Sequence, residues 1–293
     1  MSINLKQEEF LIFKSQFKKE GFCILKSFFS EKEITDLESV VSNLYLLQAK
    51  KIGDYKDLTE GLSNSEISNF EKFSAISKNL ELKDKEALYQ VQKFLEISPK
   101  VRSIFDNNFF ELCSSLMNSK LENILLNGPA LFVNNPSNDR LLYKWHSEVF
   151  YYPKRRNFLN IWFPLFSDKD KNNGTMKFKV KSHKHSFPFS EYQGYEVHSD
   201  DKKKSFIQYE IPDNFLVDFD EFCCEVSRKD LIIFDKNLVH CSTINNSKKV
   251  SASVVAKVWD PENDLTLSGN LDSKTYKNDV GRSNLIVKSK LDD

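Results

Sequence analysis

The 293-residue chain carries 42 basic and 42 acidic residues, so no formal net charge draws it to nucleic acid or to an anionic membrane. Its length suits one large domain, or one domain with a helical appendage. No run approaches the roughly eighteen apolar residues of a membrane span, and the charged N-terminus is unlike a secretion signal. Five cysteines, Cys23, Cys113, Cys223, Cys224 and Cys241, are odd in number and form no C-x-x-C pair. They argue against a disulfide framework or zinc ribbon and for a reducing cytoplasm.

Residues 9–130 are mostly helical in pattern. The short apolar run Phe22-Cys23-Ile24-Leu25 reads as a strand, and Ser30-Glu31-Lys32-Glu33 follows as a capping box. Ile34, Leu37, Val40, Val41 and Leu44 then recur at helical spacing and give one apolar face. Residues 50–72 are polar without a clear period and read as a loop or insertion. A second helical stretch covers 83–119, divided in two by Pro99.

From about residue 129 the period changes to two. Segments 144–150, 158–166, 175–181, 206–211, 222–226, 231–234 and 250–259 each read as strands. In 175–181, apolar and basic residues alternate strictly, as on a sheet with one wet face. The segments 168–174 and 200–204 are charged and read as solvated loops. The strand-rich core spans 131–260, a polar tail follows over 261–293, and the whole is expected to form a single domain over 1–293. Many short strands separated by turns suggest a sandwich or barrel.

Two motifs carry chemistry. Trp145-His146-Ser147-Glu148 on a strand would put His146 and Glu148 on one face, because strand side chains alternate. Val239-His240-Cys241-Ser242 supplies a second imidazole from a distant strand. Two imidazoles and a carboxylate are the facial ligand set of non-haem Fe(II), which leaves coordination positions open. His-x-Glu alone recurs by chance, so the surrounding residues must carry the assignment.

They do so as a resemblance. Phe17-Lys18-Lys19-Glu20-Gly21-Phe22 with Phe28 to Ile34, the His146 motif, Ile161 to Leu165 with Asn173 to Met176 and Ser182-His183-Lys184, and Asp230 to Asp235 with His240-Cys241-Ser242 follow one another in order. In this order they resemble the phytanoyl-CoA dioxygenase-like group of Fe(II)/2-oxoglutarate oxygenases. The resemblance implies a mainly β fold with α-helices: a double-stranded β-helix (a cupin-like jelly roll) with N-terminal helices packed outside. It implies an enzyme that takes Fe(II), 2-oxoglutarate and O2 and hydroxylates a small-molecule metabolite, releasing succinate and CO2.

Residue by residue, His146, Glu148 and His240 would be both the catalytic set and the iron ligands. A carboxylate at Glu148, where related halogenases lack one, favours hydroxylation or another oxidation over halogenation. The family's arginine for the distal carboxylate of 2-oxoglutarate is matched by Lys249-Val250-Ser251, so Lys249 and Ser251 are expected to approach that carboxylate together. A lysine does this as a point charge, without the fork of arginine. Lys257 and Arg156 are rival cations, and Asn160 could line the co-substrate pocket. Trp162 serves packing or that pocket equally well.

His183 is expected to support a turn, His185 and His198 to lie on the surface, and Cys241 to face away from the metal by strand parity. Lys154-Arg155-Arg156 could hold an anionic substrate group, although such runs are usually solvated. Two rival readings are a non-catalytic jelly-roll binding module and a 2-oxoglutarate-independent, cupin-like dioxygenase.

Overall fold

A computed structural model describes residues 7–51, 67–83, 91, 95, 96, 98–137, 142–152, 157–193 and 207–263. The Lys154–Arg156 run, His198 and most of the polar tail lie outside the described residues.

Helices dominate the first part, and their ends follow from local chemistry. Helix α1 (Gln7–Glu20) stops at Gly21, whose φ of +88° is the left-handed region a glycine tolerates. In α2 (Glu31–Lys51) the expected box forms: Glu33 N–H donates to Ser30 Oγ at 3.2 Å and Ser30 N–H to Glu33 Oε2 at 2.9 Å. Most of the 50–72 segment read as a loop lies outside the described residues; at its end a helix, α3 (Asn69–Lys83), is opened by the same device. There Glu71 N–H donates to Ser68 Oγ at 3.2 Å, and Ser68 N–H donates back to Glu71 Oε2 at 3.0 Å. Pro99 does divide the next stretch: Ser98 caps the short α4 (Pro99–Arg102), and Asp106 caps α5 (Asn107–Met117).

Among the described residues ten strands form, most but not all of them on the period-two pattern. They are β1 (Phe22–Leu25), β2 (Leu125–Asn134), β3 (Phe158–Leu165), β4 (Met176–Lys179), β5 (Ser190–Gln193), β6 (Ile207–Glu210), β7 (Glu221–Cys223), β8 (Leu231–Asp235), β9 (His240–Ser242) and β10 (Ser251–Trp259). A five-stranded sheet runs β1-β8-β3-β10-β2, a three-stranded sheet β7-β4-β9, and β5 pairs with β6. Every pairing between these strands is antiparallel.

Strand parity divides the large sheet between two cores. Ala252, Val254, Ala256 and Val258 of β10 join Ile161 and Phe163 of β3 and the apolar faces of α2, α3 and α5 in the main hydrophobic cluster. The opposite face carries Trp162, Ile232, Phe234 and Phe22 and meets Phe178, Cys224 and Val226 from the region of the small sheet. All eight residues of β3 are buried, as expected of a central strand covered on both faces. The fold is therefore mixed α/β, with antiparallel sheets and N-terminal helices that supply much of the core, and is less β-dominated than the sequence suggests.

No described helix is long and apolar enough to cross a membrane. All five cysteines are free.

Candidate metal centre

The segment 144–150 is not a strand. Residues 148–150 form a turn of 3-10 helix, and His146 makes an isolated antiparallel bridge with His240. His146 N–H donates to His240 O and His240 N–H to His146 O, each at 2.9 Å. Directly opposed residues of an antiparallel pair project to the same side, which brings the two rings to 4.2 Å between centroids. Ser147 remains extended (φ −110°, ψ 142°), so Glu148 still emerges on the side of His146. The Ser147 hydroxyl turns the other way and donates to Asn237 O at 3.0 Å.

The imidazoles are oriented by their own backbones. His146 Nδ1 lies 2.7 Å from Lys144 O and His240 Nδ1 2.9 Å from Leu238 O. A carbonyl accepts only, so Nδ1 carries the hydrogen in each ring and Nε2 presents its lone pair. Both Nε2 atoms face Glu148 Oε2, at 3.8 Å for His146 and 3.6 Å for His240. All three candidate ligand atoms lie within 4.8 Å of one another. Three donors about 2.1 Å from a first-row ion and at right angles to each other would be roughly 3 Å apart. A modest inward movement therefore suffices for the set to fit such an ion.

The electrostatics suit that purpose. Burial alone would raise the Glu148 pKa, but the Lys257 charge and the two imidazoles outweigh it and hold the carboxyl well below its ordinary value. Burial, reinforced by His146, pushes His240 down towards the neutral form. A neutral imidazole and an ionised carboxylate are the metal-binding states. Lys257 Nζ sits 2.9 Å from Glu148 Oε1, the oxygen turned away from the imidazoles, and 5.0 Å from the Tyr152 ring centroid.

Aromatic side chains wall the centre. Tyr143 and Tyr151 lie 5.6 and 5.5 Å from the His146 ring, and Tyr209 packs 5.0 Å from Tyr151. Burial, then the Glu148 charge, drives the Tyr151 pKa far upward, so its phenol stays protonated. Asn160 is buried on the inner face of β3, between Lys257 and Phe234 on the neighbouring strands. Among the described residues, neither of its side-chain amide atoms has a hydrogen-bond partner.

Lys249 and Ser251, expected to share one strand face, are placed differently. Lys249 is exposed in the bend before β10, where its carbonyl accepts from Asn245 Nδ2 at 2.8 Å, so it does not share the strand face of Ser251. Ser251 is buried on the inner face, and its hydroxyl accepts a hydrogen bond from Lys169 Nζ. Lys169 belongs to the 168–174 segment read as solvated, yet it is only 3% exposed. Nothing in its Asp-Lys-Asp-Lys context announces this. The fixing contact is a bridge to Val226, with Lys169 N–H donating to Val226 O at 2.8 Å.

The remaining expectations fall out simply. His183 packs over Gly21, so close that a Cβ there would lie 2.5 Å from His183 Nδ1. His185 is exposed, and Trp162 belongs to the inner apolar cluster. Burial pushes the Cys241 thiol up to about 12, leaving it inert.

A family profile described as "Phytanoyl-CoA dioxygenase (PhyH)" matches residues 17–253. No curated protein sequence matches the chain. Among solved structures, the fold is similar to apo EctD from S. alaskensis, with TM-score 0.54 and 14% identity over 90% of this chain and 80% of that one. It is also similar to the non-heme alpha ketoglutarate dependent epimerase SnoN from nogalamycin biosynthesis, with TM-score 0.52 and 12% identity over 87% and 84%. The non-heme alpha ketoglutarate dependent carbocyclase SnoK from the same biosynthesis gives TM-score 0.51 and 14% identity over 88% and 85%.

Proposed function

The chain belongs to the phytanoyl-CoA dioxygenase (PhyH) family of Fe(II)/2-oxoglutarate oxygenases, and from that premise we propose that it hydroxylates a small-molecule metabolite at an iron held by His146, Glu148 and His240. The observation that carries this reading is the convergence of two Nε2 atoms and one carboxylate oxygen in a buried site. The facial set leaves positions for a chelating 2-oxoacid and O2. The folds of SnoN and SnoK, both described as ketoglutarate dependent, support the same co-substrate. We take the two facing sheets as a double-stranded β-helix, and the helices and sheets as one oxygenase domain.

With iron and 2-oxoglutarate bound, the centre would supply oxidative decarboxylation to succinate and CO2, coupled to oxidation of a substrate C–H bond. The protein's own contribution is positional. The carbonyls of Lys144 and Leu238 fix both imidazole tautomers. Lys257 holds one oxygen of Glu148 and directs the other to the metal. Asn160, whose buried amide has no partner among the described residues, is offered to the co-substrate. Tyr143, Tyr151 and Tyr209 form an aromatic wall that limits water and receives the substrate's carbon skeleton.

The test is anaerobic titration of Fe(II)-loaded protein with 2-oxoglutarate, following the weak visible charge-transfer band of the chelate. One iron per chain and a saturable band, both lost in His146→Ala, support the reading. Iron binding without a band would point to a dioxygenase independent of 2-oxoglutarate, and no iron binding would point to a binding module.

A further inference from the structure

Lys169 is unexplained by the metal centre. Its main chain is clamped in the bridge to Val226, which commits the side chain to the interior. There Nζ donates to Gly174 O at 3.2 Å and to Ser251 Oγ. Both acceptors are neutral, and among the described residues no carboxylate lies within ion-pair distance of this ammonium. A buried cation without a counter-charge is costly, and burial accordingly pushes its pKa from 10.5 down to about 7. The loop is closed tightly over this spot: Gly174 has φ +78°, and a Cβ there would come within 2.5 Å of Asn134 Nδ2. Asn134 is the cross-strand partner of Ser251.

The position of this ammonium suggests what it awaits. Ser251, Ser253, Val255 and Lys257 share the inner face of β10, by alternation and by their pairing with inner-face residues of β3. The Lys257 end reaches the Glu148 carboxylate and the Ser251 end reaches Lys169. A dicarboxylate chelated at the metal by one end needs a cation for the other. Lys257 stands at the ligand set itself, 2.9 Å from Glu148 Oε1 and so at the chelated end, and Lys249 is out in solvent.

We propose that Lys169, assisted by the Ser251 hydroxyl, binds the distal carboxylate of 2-oxoglutarate in place of a cation on β10. The assignment rests on the oxygenase reading above. It makes the lysine a charge supplied from the loop between β3 and β4, received by a serine on the last strand.

The experiment compares two 2-oxoacids on Fe(II)-loaded protein without O2: 2-oxoglutarate, and 2-oxobutyrate, which lacks the distal carboxylate. Lys169→Met removes the charge. Lys169→Gln removes it while keeping a donor for Gly174 O and Ser251 Oγ, so a folded variant remains if the first fails. Losing a charge-assisted bond should raise the half-saturating 2-oxoglutarate concentration roughly 10- to 100-fold. Half-saturation by 2-oxobutyrate and iron binding should stay within about twofold of the unmodified protein. Lys249→Met should change neither.

Unchanged preference for 2-oxoglutarate in either folded Lys169 variant overturns the proposal, as does loss of preference in Lys249→Met. If unmodified protein binds iron but shows no band with either acid, the oxygenase reading itself has failed and takes this one with it. That outcome is recognisable because it precedes any substitution.

Discussion

Lys257 Nζ and Glu148 Oε1 lie 2.9 Å apart, while the other oxygen of the same carboxylate faces two imidazole nitrogens at 3.6 and 3.8 Å. One carboxylate thus has a cation on one side and an open ligand set on the other. Lys257 and a divalent ion are alternative sources of the positive charge that a sealed carboxylate requires. The lysine keeps Glu148 ionised before metal arrives and leaves only one oxygen free for it.

Replacing Lys257 with Met should therefore destabilise the metal-free protein by about 3 kcal/mol, the lower end of the cost of breaking a buried pair. Metal should recover much of that loss. Thermal unfolding with and without Mn(II), a redox-silent probe, should show a larger metal-induced rise in the variant than in the unmodified chain. Equal rises would mean that Lys257 does not compensate Glu148.

His146→Ala or His240→Ala should abolish stoichiometric iron binding and turnover. Each removes one of three donors, and the bridge between the two residues is main-chain only and survives the change. Equilibrium dialysis against Fe(II) under nitrogen is the direct check. Full occupancy in either variant would exclude that residue as a ligand.

Much of this site was legible in the sequence because its parts are local. His146 and Glu148 are two residues apart and extended between, so the expected common side holds even though the surrounding strand does not form. The capping box at Ser30 is readable, and the one at Ser68-Asn69-Phe70-Glu71 carries the same signal at the end of a segment whose polarity masks it. Strand β2 was hidden by Gly128-Pro129 in its midst, and β5, Ser190-Glu191-Tyr192-Gln193, has no apolar alternation. Lys169 could not be read at all. Its burial comes from pairing with Val226, 57 positions away, while its neighbours Asp168, Asp170 and Lys171 describe a solvated loop. Lys249 is the converse case: it is adjacent in sequence to the right strand, but β10 begins only at Ser251.

Gly21→Ala tests the junction of α1 with the strands. The backbone is left-handed there, and the added Cβ would meet His183 Nδ1 at 2.5 Å and Leu238 Cδ1 at 2.8 Å. A loss of roughly 2 kcal/mol or more is expected in urea unfolding, from the backbone and the crowding together. Iron affinity of the folded fraction should be unchanged. A neutral substitution would show that His183 and Leu238 move aside freely.

Lys169 should leave its mark on the pH dependence of stability. Its folded pKa of about 7 lies below the ordinary 10.5, with burial the main cause and Asp170 opposing it. Between these values the unfolded chain holds a proton that the folded chain has lost, so stability rises with pH across the window. Below about pH 7 both states are protonated and the penalty for the buried charge is felt in full. Lys169→Met removes the penalty. Without ligand or metal, the variant should exceed the unmodified protein in stability by on the order of 3 kcal/mol near pH 7, and the gap should close towards pH 10. Urea unfolding at both ends of the range decides it. A gap that does not narrow as pH rises would mean that Lys169 is not the buried, partly discharged cation described. Binding of 2-oxoglutarate should act in the opposite sense: above about pH 7 it returns a proton to Lys169, so its affinity should fall as pH rises in the unmodified protein and not in the variant.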